Sequence, residues 1–355
     1  MGEKQGIQWL LEPPPGWMVS RWTGESTGIF AFILYDESGA WATDPPKMSL
    51  MDINKMFSML QPRDNEEEDN EESQELIRAV SEDDYETLDH LLSQDKYKRL
   101  INRRSGWGVP STPLRLAATR GCIRSLRVLL AHGAEVDSLD VKAQTPLFVA
   151  VSNGHQECVA ALLGAGASPA GSIYNNCSPL LLAARDGHLP ILRLLLEHGA
   201  EPNVQPRLPQ WAASSVACSG PLYLAAAYGH LECFRLLLLF GAEPNYNCTD
   251  QSVVAQIKEP KTLLETCLRH GRRREFVRLL IDFGANVYLP SIPMDGVARH
   301  SEGLELLLQA RAHPKSLLSQ ARLALRRLLK QPGHLPTLGE LQIPAVLANY
   351  LQHQP

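Results

Sequence analysis

From residue 111 onward, apolar stretches and polar turns alternate in a fixed order. One kind of stretch is short and rich in small side chains, as in Leu147 to Ser152. The other, as in Glu157 to Leu163, spaces its apolar residues by three and four, the interval that lines one face of a helix. Thr-Pro or Ser-Pro precedes the first kind, and glycine closes both. Proline is tolerated in the first helical turn, where its missing N–H has no partner to lose. Glycine past a helix end supplies the left-handed geometry that stops it. The pattern therefore predicts pairs of short helices. One such pair cannot bury its own apolar face, so the pairs must stack.

The spacing is regular. Pro113, Pro146 and Pro179 fall 33 residues apart, as do Gly133, Gly166 and Gly199, each followed by alanine. Gly121, Gly154, Gly187 and Gly229 each precede the next Gly-Ala by 12 residues, and His155, His188 and His230 follow the last three of them. Well-formed repeats start near residues 111, 144 and 177. A fourth starts near Gly220 after an insertion holding Pro206, Pro209 and Trp211, and a fifth starts near Thr262 after another. A degenerate repeat is expected over Glu75 to Arg103, with Leu76, Val80, Leu88, Leu91 and Leu92 as its apolar face. A truncated last helix is expected over Ser301 to Ala310. The TPLxxA, Gly-His and LLxxGA elements at this period closely resemble the ankyrin repeat.

The flanks read differently. Residues 1–60 hold Trp9, Trp17, Trp22 and Trp41, an irregular Pro13-Pro14-Pro15 start and an apolar run, Ile29 to Tyr35, that reads as a strand or buried extended segment. This Trp-rich segment is expected to pack on the first repeats or to form a small appendage. Residues 61–73 read as an acidic linker, 74–310 as about six to seven repeats, and 314–355 as a separate C-terminal unit. The fold class expected is all-α, a solenoid with an irregular N-terminal segment.

Composition narrows the function. Apolar residues make up 44% of the chain and charged residues 21%, an ordinary globular balance. The net charge of -5 owes much to the acids between Asp64 and Glu72, so neither a nucleic-acid-binding surface nor a wholly acidic tail is expected. The run from Ile29 to Tyr35 is far short of the roughly 20 residues a membrane span needs. The N-terminus lacks the apolar core of a signal peptide, and Gly6 stands where a myristoylation pattern wants Ser or Thr. Seven cysteines without a CxxC pair point to free thiols in a reducing cytoplasmic or nuclear compartment.

Enzyme chemistry finds little support. Cys122, Cys158, Cys233 and Cys267 recur at or near equivalent repeat positions, which marks small core residues rather than nucleophiles. His155, His188 and His230 read as turn-fixing hydrogen-bonders, no phosphate loop occurs, and no cofactor or metal is expected.

The 33-residue pattern stops at Pro314. Ser316 to Leu329 reads as a helix with Leu317, Ala321, Leu325 and Leu328 on one face and Arg322, Arg326 and Arg327 away from it, ending before Pro332-Gly333. Leu341-Gln342-Ile343-Pro344 follows, then Leu347, Tyr350 and Leu351. By periodicity alone this unit is either a cap on the last repeat or a docking element. Its wording resembles a SOCS box. Ser316, Leu317, Ala321 and Leu325 match the elongin-C-binding motif, with Ala321 where the family often has Cys. Leu341, Ile343, Pro344, Leu347 and Tyr350 match the cullin box, with Gln342 in place of its usual first proline.

Ankyrin repeats followed by a SOCS box resemble the ankyrin repeat and SOCS box family. The resemblance implies a non-catalytic substrate receptor for a ubiquitin ligase, with elongin C, elongin B and the type 5 cullin with its RING subunit as partners, and a substrate protein on the repeats. Turn tips and inner helices would supply the substrate contacts, with Trp107, Asp137, Asp140, Tyr174, Trp211 and Tyr246 as candidates. The alternative is an ankyrin scaffold whose last helices only cap the stack. The discriminator is whether the leucines of Ser316 to Leu329 are presented outward or buried against Leu304 to Leu308.

Overall fold

The computed structural model describes residues 18–22, 31–35, 70–104, 111–140, 142–173, 175, 177–204, 220–245, 262–269, 274–288, 302–328 and 349–351. Two compact units divide the chain, Met1–Leu50 and Met51–Pro355. The first contains strands β1 (Met18–Trp22) and β2 (Ala31–Tyr35), paired antiparallel with Met18 opposite Tyr35 and Trp22 opposite Ala31. The extended segment expected within Ile29 to Tyr35 is thus a strand. Its partner β1 was not anticipated, and this hairpin is the departure from an all-α chain among the described residues.

The second unit is helical. It begins with α1 (Asn70–Ser81), which starts inside the stretch expected as an acidic linker, then α2 (Tyr85–Leu92) and α3 (Asp95–Lys98). Leu76, Val80, Leu88, Leu91 and Leu92 are all buried, as the degenerate first repeat requires. Four helix pairs follow: α4 (Pro113–Arg120) and α5 (Ile123–Ala131), α6 (Pro146–Ser152) and α7 (Gln156–Gly164), α8 (Pro179–Asp186) and α9 (Leu189–Glu197), α10 (Pro221–Tyr228) and α11 (Leu231–Leu239). A fifth pair, α12 (Leu263–Arg269) and α13 (Arg274–Asp282), precedes α14 (Glu302–Ala312) and α15 (Leu317–Leu328).

Local chemistry starts each inner helix. The hydroxyls of Thr112, Thr145, Ser178 and Thr262 accept from the backbone N–H three residues on, at 3.1 to 3.3 Å. The following proline or leucine then opens the first turn. Gly121, Gly187 and Gly229 end their helices in the left-handed region, at φ 75°, 74° and 84°.

Successive inner helices pack side by side, and so do successive outer ones. Fully buried Leu126, Leu162, Leu195 and Leu237 form a continuous spine along the outer helices. Each such burial contributes about 1.5 to 3 kcal/mol. Phe234 of α11 meets Phe276 of α13 edge to face, with ring centroids 5.0 Å apart. Polar bonds tie neighbours at the turns: Asn102, Asn203 and Asn245 each accept, at 2.8 Å, from the backbone N–H of Glu135, Glu243 and Asn286 one repeat later.

Candidate functional site

Helix α15 is built by its own sequence. The Ser316 carbonyl accepts from the Gln320 N–H at 3.0 Å, and the Ser316 hydroxyl accepts from the Ser319 N–H at 3.2 Å, which caps the first turn. The Gln320 amide donates back to the Lys315 carbonyl at 2.8 Å. Pro314 separates this helix from α14.

The apolar face of α15 points outward. Leu317 is 84% exposed, Leu318 59% and Leu325 41%, and Ala321 between them is also exposed. Leu317, Ala321 and Leu325 are four apart and Leu318 stands three before Ala321, so they form one stripe. Such a contiguous apolar patch marks an interaction surface far more often than scattered single residues do.

The opposite face is packed. A β-carbon on Gly284, just past α13, would stand 3.1 Å from Leu323 Cδ2, so α15 lies close against the end of the last repeat. Arg322 is only 7% exposed. Its guanidinium reaches Asp282 at 3.7 Å and lies over the Tyr350 ring, 4.6 Å from the centroid. The sequence reading put Arg322 away from the apolar face; in the structure it flanks the stripe, four residues after Leu318 and three before Leu325, with its guanidinium turned to Asp282. That reading did not anticipate that Arg322 would be buried and the leucines on the solvent side. An amphipathic pattern ordinarily turns its leucines inward, and here the inversion is the feature that makes the face available.

Of the residues matched to the cullin box, Leu341, Ile343, Pro344 and Leu347 lie outside the described residues. Tyr350 is half-buried against Arg322, and Leu351 beside it is buried at 3% exposure. Residues 349–351 are helical, as expected for the end of this unit.

The candidate substrate contacts divide. Trp107, Tyr174, Trp211 and Tyr246 lie outside the described residues. Asp137 is exposed at a turn tip, yet its carboxylate accepts from the Ser168 N–H of the next repeat at 3.2 Å. Asp140 needs correction. It is 2% exposed, pairs with Arg115 Nη2 at 2.7 Å, and accepts from the N–H groups of Lys142 and Gln144 at 2.8 and 2.7 Å. It shapes its turn from inside and presents no carboxylate to a partner. An aspartate next to a turn reads as exposed in sequence, because the arginine that draws it inward lies on another element.

Sequence reasoning passed over several exposed apolar side chains, among them Ile173 at 65%, Tyr228 at 59% and Tyr288 at 66%. Tyr228 carried a readable signal. It occupies the position before a turn glycine, where the preceding repeats have Arg120, Asn153 and Asp186. An aromatic side chain at a polar position of an inner helix is a natural contact for a partner.

The cysteines behave as core residues. Cys122, Cys158, Cys233 and Cys267 are buried. Burial pushes the thiols of Cys158 and Cys233 up to about 11, so neither is a thiolate at neutral pH. His155 and His230 bond to the carbonyls of Thr119 and Arg185 in the preceding repeats, at 3.1 and 2.9 Å. Among the described residues no cluster of His, Cys, Asp or Glu is arranged to hold a metal ion, and no helix is long and apolar enough to cross a membrane.

Comparison with known proteins accounts for this architecture. Family models for ankyrin repeats match residues 76–172 and 180–238, and the SOCS box model matches residues 313–352. The chain is 62% identical to human ankyrin repeat and SOCS box protein 12 over 308 residues, covering 86% of this chain and 100% of that protein. It is 60% identical to the mouse protein of that name over the same shares of each. Human ankyrin repeat and SOCS box protein 1 is 43% identical over 303 residues, covering 80% of this chain and 89% of that one. Among solved structures, the human ASB11 ankyrin repeat domain covers 68% of this chain and 99% of its own, at 25% identity and a TM-score of 0.49.

Proposed function

The chain belongs to the ankyrin repeat and SOCS box protein family, and from that premise we propose that it is the substrate-recognition subunit of an elongin B/C–cullin-RING ubiquitin ligase. The observation that carries this reading is the outward apolar stripe of α15. Leu317, Ala321 and Leu325 stand exposed in the order of the elongin-C-binding motif, on a helix whose other face is already fixed to the last repeat.

In this reading Leu317 anchors elongin C, with Ser316 starting the helix at the register the contact needs. Elongin B joins through elongin C. The segment from Leu341 to Tyr350 engages the cullin, which is the type 5 cullin with its RING subunit. The inner helices and turn tips hold the substrate, with Tyr228, Asp137 and the inserts around Trp211 and Tyr246 as its first contacts.

The protein itself makes no covalent bond. It holds a substrate lysine near the charged ubiquitin thioester. Tethering of this kind gives effective concentrations on the order of millimolar without any new chemistry. A stack whose repeats are tied by side-chain bonds at several turns suits that task, because it restrains the relation between its two ends.

The test is co-purification of the full-length chain from cells, with quantitation of elongin B, elongin C and the type 5 cullin beside a Leu317→Asp variant. Stoichiometric adaptor and cullin, both lost in the variant, support the reading. Adaptor without cullin narrows the role and directs attention to Gln342. Neither partner on a folded wild-type chain leaves an ankyrin scaffold, in which α15 only caps the stack through Leu323 and Arg322.

A further inference from the structure

Arg322 touches three parts of the protein at once. Its backbone belongs to α15, the helix that carries the adaptor-binding stripe. Its guanidinium faces Asp282, the last residue of α13 in the final repeat pair, at 3.7 Å. The same group covers the ring of Tyr350 near the C-terminus, 4.6 Å from the centroid.

At 3.7 Å the Asp282 contact is longer than a hydrogen bond, so the two groups interact chiefly as charges. The Tyr350 contact lies inside the roughly 6 Å limit for attraction between a cation and a ring face. Both act at a site where Arg322 is 7% exposed, and attraction of either kind strengthens when water is excluded. An arginine is rarely buried without such partners, since taking its charge out of water is costly. Arg322 is therefore held in place from both sides. Leu351, buried next to Tyr350, adds an apolar anchor to the same segment.

We propose that Arg322 is a positioning residue for cullin capture: its guanidinium, set by Asp282, clamps the Tyr350 ring and so fixes the C-terminal segment against both the adaptor helix and the last repeat. The proposal deepens the ligase reading and rests on it. Tyr350 then serves the cullin through its placement by Arg322, with one face of its ring spent inside the protein. Lysine is a poor substitute, because a compact ammonium cannot lie flat on the ring as a guanidinium does.

The experiment uses the full-length chain assembled with elongin B and elongin C, titrated with the type 5 cullin and its RING subunit. Arg322→Met keeps length and removes charge. Its affinity for the adaptor is expected to stay within about twofold, because Arg322 is 7% exposed and its guanidinium is turned to Asp282 and Tyr350, away from the exposed leucines. Its affinity for the cullin is expected to fall about tenfold, the scale of a desolvated cation–ring contact. Tyr350→Leu should lose a similar amount, the double variant no more than either alone, and Arg322→Lys should fall between wild type and Arg322→Met.

A second readout is taken on the chain without partners, as amide hydrogen exchange at residues 349–351. Exchange there should rise severalfold in Arg322→Met if the clamp holds that segment. Cullin affinity unchanged in Arg322→Met overturns the proposal. So do additive losses in the double variant, and so does a parallel fall in adaptor affinity, which would mean general damage to the helix. A folded wild-type chain that binds no adaptor overturns the ligase reading and this proposal together. Wild-type binding with an unaffected Arg322→Met overturns the proposal alone.

Discussion

The imidazole of His155 lies against the α-carbon of Gly121 in the preceding repeat, so closely that a β-carbon there would stand 2.7 Å from Nδ1. The same ring bonds through Nε2 to the Thr119 carbonyl at 3.1 Å. One side chain thus seats on a turn glycine and ties up a carbonyl at the end of the same helix. His230 over Gly187 repeats both contacts, bonding the Arg185 carbonyl at 2.9 Å, and His188 repeats the seating over Gly154. A glycine in this phase is required twice, by its left-handed φ of 75° and by the ring above it.

Gly121→Ala should therefore cost more than Gly133→Ala. Gly133 has φ 83° but nothing within 4 Å of the added carbon, so only the backbone penalty applies, about 1 kcal/mol. At Gly121 the ring must also move and surrender its bond to Thr119, which brings the expected loss to about 2 to 3 kcal/mol. Urea unfolding of the two variants gives the comparison. Equal losses would mean that the histidine contact carries no energy.

Much of this architecture is legible in the sequence, because each repeat states its turn chemistry locally. Pro146, Gly154 and Gly166 announce where helices start and stop, and the structure has them there. Contacts between repeats are less legible. The bond from Asn102 to the Glu135 N–H joins residues far apart in the chain, and nothing in the local wording around Asn102 announces it. The orientation of α15 was illegible for a similar reason. Its pattern fixes which residues share a face, but only Gly284 and Asp282 on another element decide which face is buried. Asp140 went inward on the same logic, drawn by Arg115.

The Arg115–Asp140 pair supplies a second prediction. With the Asp140 side chain fully buried and Arg115 17% exposed, loss of the carboxylate charge leaves a guanidinium without its counter-charge. Asp140→Asn keeps an oxygen for the Lys142 and Gln144 N–H groups, yet should destabilise the chain by about 3 kcal/mol. Adding Arg115→Met should recover most of that loss, since replacing both charges removes the mismatch. Chemical denaturation of the single and double variants tests this. A double variant no better than the single would assign the loss to the turn amides instead.

Cysteine chemistry gives a pH prediction. Burial raises the Cys158 and Cys233 thiols to about 11 from an ordinary value near 9. A folded value above the unfolded one means that the native state keeps its proton longer. Stability from these sites is thus complete below pH 9 and is lost as pH rises toward 11. At pH 7.5 both thiols should resist iodoacetamide in the native protein and react promptly once it is unfolded. Mass spectrometry after timed alkylation reads this site by site. Rapid native labelling of Cys158 would contradict the core assignment.

The two faces of α15 should separate under mutation. Leu317 at 84% exposure contributes little to the folded chain, so Leu317→Asp should change stability by no more than about 0.5 kcal/mol. Leu323 sits on Gly284, and placing a carboxylate there loses the apolar contact and strands a charge at a packed junction. Leu323→Asp should therefore destabilise the C-terminal end by about 2 kcal/mol or more, which differential hydrogen exchange in α14 and α15 would locate. Adaptor binding should respond differently. Leu317→Asp should abolish it on a fully folded protein, because the substituted side chain is the proposed anchor. Leu323→Asp should weaken it only as far as the helix frays. If Leu317→Asp unfolds the helix as much as Leu323→Asp does, the stripe is part of the fold, and its exposure is no evidence for a partner.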